Sequence, residues 1–269
     1  MPRAVAEDGT QLHWEDRGEG ALVVISPHWL GLPATFEPLI DDLSADHRVV
    51  RYDARGSGES SRGSTQDLAT GATDLHSVIE ATGEKGTTVF GVMDGCNRAL
   101  RAAAERSDLI AEVVGIACFP GTRADLEGTH SLLGSPAVGE TLLEMVGTDY
   151  RGAMRSVLTS GNEQMSEEEL RERVQRQISH SPQEVAVAQL RAFMEDDPRR
   201  SAVALGSRLS LLYSPEMARG WFPPIEELVE RTVRIVPEAN IEVVEDGIVT
   251  RPDLAAAVVR RVTAAKASA

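Results

Sequence analysis

The stretch Thr87-Thr88-Val89-Phe90-Gly91-Val92-Met93-Asp94-Gly95-Cys96 limits the possible folds more than any other. Its first four residues are β-branched or aromatic and favour an extended strand. Residues 96–106 are rich in Ala and Arg and read as a helix. Between them, Gly91 and Gly95 frame a turn so tight that backbone passes backbone two residues either side of Met93. The rest of the chain repeats this succession of strand and helix. Residues 21–26 (ALVVIS) form an apolar run of the kind expected of a buried parallel strand. Further strands are predicted at 11–15, 47–52, 112–118, 209–213 and 241–244, and helices at 36–43, 67–81, 182–194, 224–233 and 253–266. Asp8-Gly9 marks a hairpin turn near the N-terminus. The pattern predicts an α/β fold: a mostly parallel eight-stranded sheet with flanking helices and right-handed crossovers. Strand signals vanish over 121–207, where Ser166 and Glu169 make a candidate capping box. The expected organisation is a core of 1–120 and 208–269 with a helical lid inserted at 121–207.

The formal net charge of −15 opposes approach to nucleic acid or an anionic membrane surface. No apolar run approaches the roughly 18 residues of a membrane span, and Met1-Pro2-Arg3-Ala4 opens no signal-peptide h-region. Cys96 and Cys118 are too few for a disulfide framework and read as small buried hydrophobes. The expectation is a soluble cytoplasmic protein. No His, Cys, Asp and Glu cluster has metal-ligand spacing. The Gly-rich loop 55–58 lacks the lysine and the spacing of a P-loop. No cofactor is therefore expected, and no feature of the sequence specifies an oligomeric state.

Four motifs in order resemble the α/β-hydrolase superfamily. They are the Asp8-Gly9 hairpin, the loop Ser26-Pro27-His28-Trp29-Leu30-Gly31 in place of the oxyanion loop, the octapeptide Asp53-Ala54-Arg55-Gly56-Ser57-Gly58-Glu59-Ser60 in the D-x-R-G-x-G-x-S pattern, and the G-x-Nu-x-G elbow from Gly91 to Gly95. The resemblance implies a Ser, Asp/Glu, His triad in that chain order. The nucleophile position falls on Met93, whose thioether has no proton to lose. The acid position falls on Met217, with Glu216 beside it, and the histidine position on Ile248. No histidine follows His180, so a base in the usual place is impossible.

The residues that the resemblance places at the carboxyl ends of the strands define a candidate site. His28, Asp94 and Glu216 are its candidate catalytic groups. His28 would move protons near neutral pH, and Asp94 or Glu216 would act as base or orient it. Trp29, Met93, Phe119, Met217 and Ile248 are expected to line an apolar, adaptable pocket for a small hydrophobic organic molecule. Backbone N–H groups near Asp94 and His28 remain available as an oxyanion site. The reading that follows is a non-hydrolytic enzyme of cyclase, lyase or isomerase type, with natural-product biosynthesis as a setting. A non-catalytic binding or receptor protein is the alternative. A hydrolase with an unusual nucleophile, Asp94 or Cys96, is a further one.

Overall fold

A computed structural model of the protein describes residues 2–29, 33–129, 131–160, 165–215, 221–244 and 252–267. Strands β1 (Arg3–Val5) and β2 (Gln11–Arg17) form the N-terminal hairpin, turned at Gly9 with φ 83°. They are followed by β3 (Ala21–Ser26), α1 (Pro33–Leu43), β4 (His47–Tyr52), α2 (Leu68–Thr82), β5 (Thr87–Val92), α3 (Asp94–Glu105) and β6 (Ile110–Ile116). The strandless stretch is helical: α4 (Pro136–Thr148), α5 (Tyr150–Ser160), α6 (Glu167–His180), α7 (Gln183–Glu195) and α8 (Arg199–Leu205). The chain then adds β7 (Leu209–Tyr213), α9 (Ile225–Ile235), β8 (Asn240–Val243) and α10 (Pro252–Ala267).

The eight strands form one sheet in the order β1-β2-β4-β3-β5-β6-β7-β8. The β1–β2 and β2–β4 pairs are antiparallel and all others parallel. Helix α1 packs with α10, and α2 and α8 pack with α3, so helices cover both faces of the sheet. This is why the central strands carry apolar runs rather than alternation: β7 (LSLLY) is buried at every residue. Local signals act where they were expected. Asp67 caps α2 by accepting the Thr70 N–H, and the Ser166–Glu169 box closes both of its bonds, at 3.3 and 2.9 Å.

Helices α4 to α7 enclose a second apolar cluster built on Leu142, Val146, Met154, Leu170, Val174 and Leu190. Helix α8, although it falls within 121–207, packs on α3 of the core.

Candidate active site at the strand-to-helix elbow

Parallel pairing sets Ser26, Gly91 and Gly115 level across β3, β5 and β6. The residues just beyond them, His28, Met93 and Phe119, therefore emerge at the same end of the sheet, where open α/β folds bind ligands. Met93 sits between β5 and α3 at φ 49°, ψ −120°, a conformation that non-glycine residues rarely adopt. Such a residue costs on the order of 1–3 kcal/mol and persists only where its surroundings over-determine it. Here they do. The Met93 N–H donates to the Ile116 carbonyl, and the Met93 carbonyl accepts from the Cys96 and Asn97 N–H groups. The two framing glycines are sterically required: a Cβ on Gly91 would lie 2.6 Å from the Cys96 nitrogen, and one on Gly95 would lie 2.7 Å from the Ser26 carbonyl oxygen. The backbone of a nucleophile elbow is complete around a side chain that cannot be a nucleophile.

Asp94 opens α3 fully buried, and its carboxylate is engaged. Oδ1 accepts the Trp29 N–H at 3.1 Å, and Oδ2 accepts from Arg98 at 3.2 Å, one helical turn on. Arg98 also donates to the Ser26 hydroxyl at 3.3 Å and to the Pro27 carbonyl. Asp94 and Arg98 thus clamp the loop after β3 onto the start of α3. Burial pushes the Asp94 carboxyl up to about 6, against the opposing pull of Arg98 and the Trp29 N–H. Asp94, expected to act as base or to orient His28, has both of its oxygens held by the loop and by Arg98.

His28 is half-buried, with its ring edge-on to Phe36 at 5.9 Å between centroids. Burial, helped by the positive charge of Arg98, lowers its pKa from the ordinary 6.5 to about 4. It is therefore a neutral imidazole at neutral pH. We expect its carbon-detected NMR titration to have a midpoint near 4; a midpoint at 6 or above would contradict this environment. The effects of His28 and Asp94 on stability oppose one another. A lowered histidine pKa contributes stability that is present above 6.5 and lost as the pH falls through about 4. A raised carboxyl pKa contributes stability that is present below 3.8 and lost as the pH rises through about 6. Relative to the parent, His28→Asn should therefore gain stability between pH 6.5 and 4, as read by urea midpoints.

Trp29, expected in the pocket, is 1% exposed and belongs to the apolar cluster of α4 to α7. Its carbonyl accepts from Gln177 of α6 at 3.2 Å. It fastens the helical block to the core instead of offering its face to a ligand. Phe119 is buried and lines a cavity of about 20 Å³ with Asn97, Phe193, Asp196 and Phe222. Cys96 is wholly buried, and burial and the neighbouring Cys118 raise its thiol well above the usual range, opposite to what an activated nucleophile needs. Glu216, Met217 and Ile248 lie outside the described residues. Among the described residues no group of three or more His, Cys, Asp or Glu side chains is placed to hold a metal ion, and no helix is long and apolar enough to cross a membrane. Sequence reasoning missed Arg98, although its i,i+4 spacing from Asp94 was a usable signal.

A family model described as alpha/beta hydrolase fold matches residues 23–165. Among solved structures, a bromoperoxidase from Bacillus anthracis is similar with a TM-score of 0.80 and 20% identity, over 97% of this chain and 99% of that one. An esterase (EaEST) from Exiguobacterium antarcticum is similar with a TM-score of 0.79 and 20% identity, over 97% and 98%. An enol-lactonase from Burkholderia xenovorans LB400 is similar with a TM-score of 0.75 and 18% identity, over 98% and 100%. Likeness at these identities speaks to the fold and not to the reaction.

Proposed function

The chain belongs to the alpha/beta hydrolase fold family, and on that premise we propose that it works on a small apolar organic molecule without a covalent intermediate, as a non-hydrolytic enzyme of cyclase, lyase or isomerase type. One observation carries this reading: Met93 occupies the elbow apex in the strained backbone conformation that a nucleophile would need. The absence of any histidine after His180 removes the base as well. What remains at the elbow suits non-covalent work. His28, expected to move protons near neutral pH, has its pKa lowered to about 4, so its neutral imidazole serves by hydrogen bonding and not by taking up a proton. Met93 and Phe119 give the substrate an apolar surround. Helices α4 to α7, fastened through Trp29 and Gln177, act as the cover over this site.

The engagement of Asp94 by Arg98 and Trp29 favours a second reading, a binding protein that keeps the ligand unchanged. Incubation with a small-molecule extract of the host, followed by mass spectrometry, separates the two. A bound compound recovered intact supports the second reading, and a new product supports the first.

Both readings exclude serine-type hydrolysis. We expect no labelling by a fluorophosphonate probe and no hydrolysis of p-nitrophenyl acetate above an unrelated-protein control. Met93→Ser should stay equally silent, because its hydroxyl would have no base to take its proton. Stoichiometric labelling of either protein, or ester turnover lost in Cys96→Ala, would overturn the proposal.

A further inference from the structure

A half-open cavity of about 210 Å³ lies between the β2–β4 end of the sheet and the C-terminus of α6. Its wall includes His13, Glu15, Arg51, Asp53, Glu59 and His180. A narrower extension shares Arg51, Asp53 and His180 and continues inward to Ile25, Pro27 and Phe36. The volume is below the roughly 300–1,000 Å³ usual for drug-sized ligands, so the occupant is small.

The charges on this wall do not balance: three carboxylates face one guanidinium. That guanidinium is committed, since Arg51 Nη2 and Nε donate to Glu15 Oε2 at 2.6 and 3.1 Å, and Nη1 lies 3.7 Å from Glu37. Among the described residues Asp53 accepts a backbone bond from the Glu59 N–H at 2.9 Å, on Oδ2. Its Oδ1 lies 3.8 Å from His180 Nε2. Burial lowers the His180 pKa from its ordinary value, with Asp53 opposing and Arg51 adding to the effect. His13 is 5% exposed; its Nε2 lies 3.4 Å from Glu15, and its Nδ1 has no hydrogen-bond partner among the described residues. A divalent metal is a poor candidate, because no three donors converge among the described residues. An ammonium group fits better: it carries one positive charge, donates up to three hydrogen bonds and needs no fixed coordination shell.

We propose that this cavity is a binding site for a small organic amine, whose ammonium is held by Asp53 and Glu59 beneath His180. The site does not depend on whether the elbow performs chemistry. It is tested by titrating isotope-labelled protein, at fixed pH and ionic strength, with 2-phenylethylammonium, 2-phenylethanol and phenylacetate. The imidazole signals of His180 and His13 are followed by NMR and assigned through His180→Gln and His13→Gln. The expected result is a saturable shift of both rings by the ammonium, at least tenfold tighter than by the alcohol, and no saturable shift by phenylacetate. Asp53→Asn should weaken the ammonium at least tenfold. Because Asp53 also shapes its loop, Glu59→Gln serves as a second variant and should weaken it about threefold in an otherwise unchanged spectrum. Absence of a saturable ammonium shift, phenylacetate binding as tight as the amine, or full affinity retained in both variants would overturn the proposal.

Discussion

Arg98→Ala should lower the unfolding free energy by about 3–5 kcal/mol, the range seen when one member of a buried ion pair is removed. Arg98 is 4% exposed and serves three acceptors on two elements: the Asp94 carboxylate, the Pro27 carbonyl and the Ser26 hydroxyl. Its removal leaves the fully buried Asp94 without a cation, and the Asp94 carboxyl, already at about 6, rises further. The protein then either buries a lone charge or takes up a proton, and both cost stability. A second loss comes from packing. A Cβ on Gly71 of α2 would lie 2.6 Å from Arg98 Nε, so α2 is fitted to this side chain and the shorter one leaves a void. Arg98→Lys should recover less than half of the loss, because one ammonium cannot reproduce a planar fork serving two elements. Urea denaturation monitored by far-UV circular dichroism measures the effect. A midpoint within error of the parent would mean that the clamp is energetically idle. The damage should be local as well as global: amide exchange at Val24, Ile25 and Ser26 should quicken in the variant more than at β7, which is remote from the clamp.

The fold was legible in the sequence because its signals are local. Gly91 and Gly95, the Asp67 cap, the Ser166–Glu169 box and the apolar run of β3 each act within a few residues and agree with one another. The elbow was legible for the same reason, including the oddity of Met93. The orientation of the polar groups around it was not. Whether Asp94 faces a pocket or a clamp depends on Arg98 and on a loop some 65 residues away, and burial decides that His28 is neutral. Trp29 turns toward α4 to α7 because those helices supply an apolar cluster, which no pattern near residue 29 announces. The meeting of His180 with Asp53 joins the end of α6 to the loop after β4, a contact that only tertiary packing makes. Residue type thus identified which side chains could do chemistry, and long-range packing decided which of them are free to do it.

The largest contrast is expected at Arg55 and Asp74, where each single change should be damaging and the joint change nearly harmless. Arg55 grips Asp74 bidentately, Nε to Oδ2 at 2.7 Å and Nη2 to Oδ1 at 2.6 Å, and both side chains are almost completely buried. The octapeptide arginine is therefore structural: it ties the loop after β4 to α2 and, through Nη1, to Asp8 of the hairpin turn at 2.8 Å. Even with this partner, burial raises the Asp74 carboxyl above its ordinary value. The cost of taking that charge out of water thus exceeds what the attraction returns to it. Arg55→Met should cost about 3–5 kcal/mol, because it strands Asp74, and Asp74→Leu less, because Arg55 keeps its bond to Asp8. Arg55→Met combined with Asp74→Leu removes both buried charges and fills the space with apolar side chains. It should lie within about 1 kcal/mol of the parent, since replacing a buried pair by packed hydrophobes is often neutral or better. Asp8 does not spoil the comparison: its side chain is about one-third exposed and stays solvated after Arg55 is gone. Urea midpoints of the four proteins close a double-mutant cycle. If the double variant is as unstable as either single one, the pair is a net source of stability, and the octapeptide contributes to the fold energy as well as to the placement of its loop; a loss equal to the sum of the singles would mean that the two residues act independently.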